Sequence, residues 1–321
     1  MSVHMLMRLV GVGAVLIGGV VRADQRIVPG QTRYPAVPLT VDTTGVPAPV
    51  YQPKPEDVLA QKILDASKSN AERDRTIAEA SVDPGALITA MVKDLEPGTP
   101  EEYVRIPWIW RVAVAAGKRN QLAEMKSVLA ASLPQVGEPL RDWQAVVIGG
   151  GVVNGISLAG AWPGDRLAEI LRGAKDLNVR WRRVPDLAAA MAADERVKTG
   201  TRYDALRILG TESWARRGAA LTGYLAAGTH AEVQQGAIGA LNDMKARQVG
   251  QVLIAGLNHF SDRNRNSALN ALMRDDTRMA ALLDAVADRR LTRSDVGEAR
   301  VDKLKMADNK KIRSRAEQLL R

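Results

Sequence analysis

The sequence predicts an all-α fold of stacked helical pairs, and three observations point to it. Apolar residues recur at helical spacing from residue 55 to the end, most clearly in residues 281–320, where helix-sized segments alternate with short polar turns. Helix-start signals recur between those segments, and no convincing strand pair appears. With one Phe and 4% aromatic residues, a core must be made mainly of Ala, Leu and Val, whose small side chains favour closely packed helices. The 46% apolar and 25% charged content excludes a compositionally disordered chain and a multi-span membrane protein.

Residues 1–23 read as a signal peptide. Arg8 precedes an apolar run over residues 9–21, too short for a comfortable membrane span, and Val21 and Ala23 place small residues where a signal peptidase reads. A retained anchor is the competing reading. Cleavage after Ala23 removes Arg8 and Arg22, lowering the formal charge of +9 by two. Export to the periplasm or cell envelope is therefore expected. The chain has no cysteine, so packing alone must stabilise it, and thiolate catalysis, Cys-ligated zinc and covalent haem attachment are excluded.

Residues 24–54 form an extended Pro-rich linker, with Pro29, Pro35, Pro38, Pro47, Pro49 and Pro53 lying outside any helical periodicity. From residue 55 to 321 the chain punctuates itself into helices. Pro55 opens a run with Val58, Leu59, Ile63 and Leu64 on one face; Asp83 with Pro84, and Thr99 with Pro100, repeat a cap followed by a first-turn proline. Ser261 caps the run holding Leu269 and Leu272, and Asp276 or Thr277 opens the helix carrying Leu282, Leu283 and Val286.

Internal similarity argues for a repeat. A small residue and an aliphatic one recur at Ala205 and Leu206, Ala237 and Ile238, and Ala268 and Leu269, the alanines being 32 and 31 residues apart. A fourth match, Ala316, lies 48 residues further on, an extra helix over residues 296–306 filling the gap. This spacing is near the roughly 30 to 47 residues of two-helix repeats and predicts a HEAT-like solenoid over residues 55–321.

The residues Leu282, Leu283, Asp284 and Ala285, with Asp295, Arg300, Leu304 and the run Ile312, Arg313, Ser314, Arg315 and Ala316, resemble the HEAT-repeat region of large exported bacterial proteins. Those proteins join a dehydrogenase-like β-propeller, HEAT repeats and a cytochrome c domain with a CxxCH motif. Residues 105–111 and 143–151, rich in Trp and Gly, are similar to the same region. The resemblance implies an exported helical scaffold whose partner is a haem c or dehydrogenase-like exported protein. It transfers no catalytic residue, since the sequence has no CxxCH and shows Ala307, Asp308 and Asn309 where a His-Pro-Asp turn is common.

Two candidate contact faces follow from residue type. Trp162 and Trp181, beside Arg180, Arg182 and Arg183, form a Trp/Arg group of the kind that dominates interface hot spots. Lys310, Lys311 and Arg313 belong to a C-terminal segment with an excess of five positive charges over residues 303–321, suited to an acidic partner. Either group also fills a bland role: tryptophans pack between small-residue helices, and lysines coat a solvated face. Gly149, Gly150, Gly151 and Gly155 imitate a dinucleotide-binding turn, but Asn154 stands where the third glycine belongs, so glycines that let helices approach are the favoured reading. A periplasmic enzyme or ligand-binding protein using the turn at Gly149 to Gly155 is the alternative. A nucleic-acid-binding HEAT-like protein is a further rival, disfavoured by the export signal.

No cofactor or metal is expected: His230 and His259 lack metal-ligand spacing, and Ser157 and Ser213 lack a nucleophile elbow. The function that follows is a non-catalytic exported scaffold binding another protein through a curved helical-repeat surface. N-terminal sequencing of protein extracted from cells should read Asp24 as its first residue; Met1 at that position would identify a retained segment.

Overall fold

The computed structural model describes residues 52–321, and every regular element among them is helical. The expected signal peptide, its expected cleavage site and the expected Pro-rich linker as far as Tyr51 lie outside the described residues. No single helix among those described is long and apolar enough to cross a membrane.

The helix starts are set by local chemistry. Helix α1 (Pro55–Leu64) begins on a proline, whose missing N–H costs nothing at a helix start. Ser69 and Glu72 form a reciprocal capping box on α2 (Asn70–Ala78). Asp83 accepts from the Ala86 amide to open α3 (Pro84–Val92), and Thr99 accepts from the Glu102 amide to open α4 (Pro100–Arg119), which ends on Asn120 in the left-handed region. After α5 (Leu122–Ser132), a π-helical segment Asp142–Ile148 runs directly into α6 (Gly149–Leu158). Then follow α7 (Pro163–Arg172), α8 (Lys175–Trp181), α9 (Val184–Ala193), α10 (Thr199–Leu209) and α11 (Trp214–Gly223). The remainder is α12 (Ala231–Asn242), α13 (Gln248–Gly256), α14 (Asp262–Ala271), α15 (Asp276–Ala287), α16 (Arg293–Val296), α17 (Glu298–Lys305) and α18 (Lys310–Leu319).

Many of the main helix contacts skip one helix in chain order and fall into rows. One row runs α4, α6, α10, α12 and α14; another runs α13, α15 and α18; α1, α3 and α5 pack side by side at the N-terminal end. The three evenly spaced alanines fall on the first row, where Ala205, Ala237 and Ala268 are fully enclosed on α10, α12 and α14. Each alanine sits seven residues after its helix's N-cap, Lys198, His230 or Ser261. Ala316 keeps that offset from Asn309, but its helix α18 packs on α15 and α17, in the other row. The extra helix expected over residues 296–306 is present as α17, and Gly297, with φ of 83°, separates it from the short α16 before it. Arg300 of α17 reaches Asn270 and Asn266 of α14, tying α17 to the last helix of the first row.

The glycine cluster forms no turn. Gly149, Gly150, Gly151 and Gly155 are buried in α6, which corrects the alternative of a ligand-binding turn there. Helix packing is the reason: a Cβ on Gly155 would lie 2.3 Å from the Val114 carbonyl oxygen, and one on Gly117 would lie 2.4 Å from that of Val152. Only glycine permits α4 and α6 to approach so closely.

The expected outcome for Gly155→Ala is therefore a net loss of stability. Helix propensity favours the change by about 1 kcal/mol, while overpacking costs about 1–3 kcal/mol and backbone on the facing side cannot swing away. Urea denaturation should show a lower midpoint for Gly155→Ala and no loss for Gly173→Ala, where a Cβ meets nothing within 4 Å. A midpoint for Gly155→Ala at or above that of the wild type would remove the close contact as the explanation.

Candidate binding groove

Because α10, α12 and α14 lie side by side in one register, their first turns open onto the same space. The N-caps Lys198, His230 and Ser261, with Thr199, Thr201, Glu232, Gln235, Arg263 and Asn264, line one side of a groove of about 1120 Å³. Tyr103, Ile106, Pro107 and Trp110 of α4 form the facing wall, and Asp142 and Val147 of the π-helical segment also line it.

Asp204 carries the strongest electrostatic perturbation in this groove. It is 5% exposed, and Gly150 on α6 packs so tightly behind it that a Cβ there would lie 2.6 Å from the Asp204 Cβ. Its Oδ1 accepts from the Trp110 indole Nε1 at 2.9 Å, a bond across 94 residues that ties α10 to α4. Burial pushes the Asp204 carboxyl well above the usual carboxylate range; the Trp110 N–H and the Arg207 guanidinium oppose that shift, and Glu232 adds to it. Tyr203, also lining the groove, is held above its ordinary value by burial, and its hydroxyl lies 3.5 Å from Asn154 Oδ1.

Lys198, Glu232 and Arg196 in the groove have partners in the chain itself. The Lys198 ammonium sits 3.1 Å from the Tyr103 ring centroid, a cation–π contact. Glu232 accepts from the Thr199 hydroxyl at 2.7 Å, placing an α12 carboxylate at the uncapped N-terminus of α10. Arg196 pairs with Asp194 through two bonds and points outward, its side chain 90% exposed. Arg263 is exposed on the first turn of α14. Below the groove, Arg207 and Asp243 form an enclosed ion pair at 2.6 Å, and Asp243 also accepts from Ser157 at 2.6 Å.

The residues singled out from the sequence fall elsewhere. Trp181 is buried against Gly149, and Arg180 is buried with its guanidinium on the Leu133 carbonyl and 2.9 Å from Asp176. Neither is presented as contact surface, which corrects their assignment: the cationic head meets the last turn of α5, and the indole fills the space a glycine leaves. Arg183 bonds the Glu138 carbonyl, whereas Arg182 is exposed. Trp162 lines a separate cavity of about 350 Å³, with the Arg274 guanidinium stacked 4.3 Å from its ring. Lys310 and Lys311 are exposed on the first turn of α18, and Arg313 bonds the Ala307 carbonyl. The structure does not bring these residues into one site. Of the two tryptophans in α4, Trp108 is buried beneath Arg73 while Trp110 faces the groove, as their spacing of two requires.

Comparison with protein-family models, curated proteins and solved structures gives no match.

The Asp204 titration has a defined sign. Its folded pKa is raised above an unfolded value of about 3.9, so the folded state holds this proton more tightly, and the associated stability, complete below pH 3.9, is lost as pH rises through the folded value. Asp204→Asn keeps an acceptor for Trp110 without the titration. The variant's Tm relative to wild type should climb steadily as pH is raised from 4; a difference independent of pH would contradict the burial account.

Proposed function

We propose that this chain is a non-catalytic exported scaffold, a HEAT-like helical-repeat solenoid that holds a segment of another protein along the groove between α4 and the first turns of α10, α12 and α14. One observation carries the reading: three consecutive repeat helices place equivalent positions, Lys198, His230 and Ser261, along one groove, so each repeat contributes its own set of polar groups to a continuous track. A track of repeated, non-identical polar positions suits an extended chain better than a compact small molecule. The resemblance of the helical region to exported haem-associated proteins supports an exported haem c or dehydrogenase-like protein as the partner. Arg182, Lys310 and Lys311 are exposed and available to extend the contact.

The test is site-specific photocross-linking in the producing cell. A photoreactive phenylalanine analogue at Gln235, on the groove wall, should yield one discrete heavier adduct, and the same analogue at Val136, 62% exposed and outside the groove lining, should not. Failure to form an adduct at Gln235, or equal adducts at both positions, would defeat the groove as the binding surface.

A further inference from the structure

The groove's chemistry narrows what the partner presents to it. Three carboxyl groups from three elements line it: Asp142 from the π-helical segment, Asp204 from α10 and Glu232 from α12. Three aromatic rings accompany them, Tyr103, Trp110 and Tyr203. Carboxylates and ring faces are the two surfaces that attract an organic cation once it leaves water. One cation already lies on this wall, since Lys198 is held over the Tyr103 ring at 3.1 Å.

We propose that the groove recognises a lysine or arginine side chain of the partner segment, whose cationic head ends on Asp204. This deepens the scaffold reading and rests on it. Asp204 is suited to the role because it is more than nine-tenths buried, is fixed at Oδ1 by Trp110, and has no other hydrogen-bond partner among the described residues. The groups facing it are Trp110 from α4, Glu232 from α12, and Arg207 on its own helix; α6 presents only Gly150. Arg207 is committed to Asp243 and Arg196 to Asp194, while Lys198 is held on the Tyr103 ring. Arg263 is exposed on the first turn of α14, in the third repeat helix.

Binding a cation there moves a proton. Burial keeps Asp204 protonated above the usual carboxylate range, and an arriving ammonium or guanidinium favours the ionised form. The Asp204 O–H bond breaks, its electron pair stays on the carboxylate, and the proton passes to solvent; no other bond changes. Affinity for the cation therefore rises with pH until Asp204 is ionised without ligand, and is level beyond that.

Isothermal titration of the full chain with hexalysine, in two buffers of different ionisation enthalpy, tests this directly. With a formal net charge of +9 the chain repels polycations at long range, so binding must come from a local site. The expected result is release of about one proton per bound chain, with affinity rising about tenfold per pH unit below the raised Asp204 value. Asp204→Asn should abolish proton release and weaken binding about tenfold or more, while Glu232→Gln, on an exposed first turn, should weaken binding and retain proton release. Val136→Gln, exposed and outside the groove lining, should change neither. Lys198→Ala should strengthen binding more than Arg196→Ala, because only Lys198 sits on a groove ring. No hexalysine binding, binding without proton release, unaltered binding by Asp204→Asn, or preference for hexaglutamate or chitohexaose would overturn the proposal. A Gln235 adduct that persists in those cases shows a groove occupant of other chemistry, whereas its loss as well defeats the scaffold reading itself.

Discussion

The approach of backbone to backbone among α4, α6 and α10 is the constraint on which the arrangement depends. Gly117 and Gly155 let α4 and α6 meet with carbonyl oxygens where side chains would otherwise stand, and Gly150 does the same between α6 and α10. A chain with one Phe and no cysteine has few bulky side chains and no cross-link, so cohesion must come from many short contacts between small residues. Their position has a functional consequence. Pressing α4 and α10 against the same helix brings Trp110 within hydrogen-bond reach of Asp204 and thereby fixes one wall of the groove relative to the other.

The opposite ends of the helices are held by arginine. Arg278, 1% exposed, donates to carbonyls of Leu241, Asn242, Met244 and Ala271 at the ends of α12 and α14. Arg73 serves Ile63 at the end of α1, Arg202 serves Ala192 at the end of α9, Arg166 serves Asn120 after α4, and Arg265 serves Leu257 after α13. Final-turn carbonyls lack intrahelical partners and carry the negative end of the helix dipole, so a guanidinium satisfies both needs at once. Each such charge-assisted bond contributes roughly 1.5–3 kcal/mol. Much of the chain's basic excess is thus structural, which weakens net charge as an argument for a polyanionic partner.

Local chemistry was legible in the sequence wherever it is dictated by neighbouring residues. Asp83, Thr99 and Ser261 cap the helices their residue types announce, and the alanines at 205, 237 and 268 mark three adjacent helices of one row. What could not be read is direction. Trp181 and Arg180 carry the residue types of an exposed hot spot, yet they turn inward because Gly149 leaves space for an indole and the end of α5 needs a donor. Ala316 keeps the offset from its N-cap, yet its helix packs on α15 in the other row, the short helices α16 and α17 having intervened. The groove was missed although Asp204 stood within the repeat motif; a constant offset of seven residues from N-cap to alanine is the signal that would have aligned its lining.

That alignment explains why the distinctive carboxyl is where it is. The position before the repeat alanine is Asp204 in α10, Gly236 in α12 and Ser267 in α14. Small residues suit a seam between stacked helices, and a buried acid does not, since its charged form is costly away from water. Asp204 is also the member of the set that meets α4 and α6, where the row passes from α10 to α6. A residue that violates the local rule at such a junction, held by a single indole N–H and backed by a glycine that makes room for it, is costly for folding and useful only if something else arrives to share its proton or its charge. The groove in front of it is the space through which that can happen.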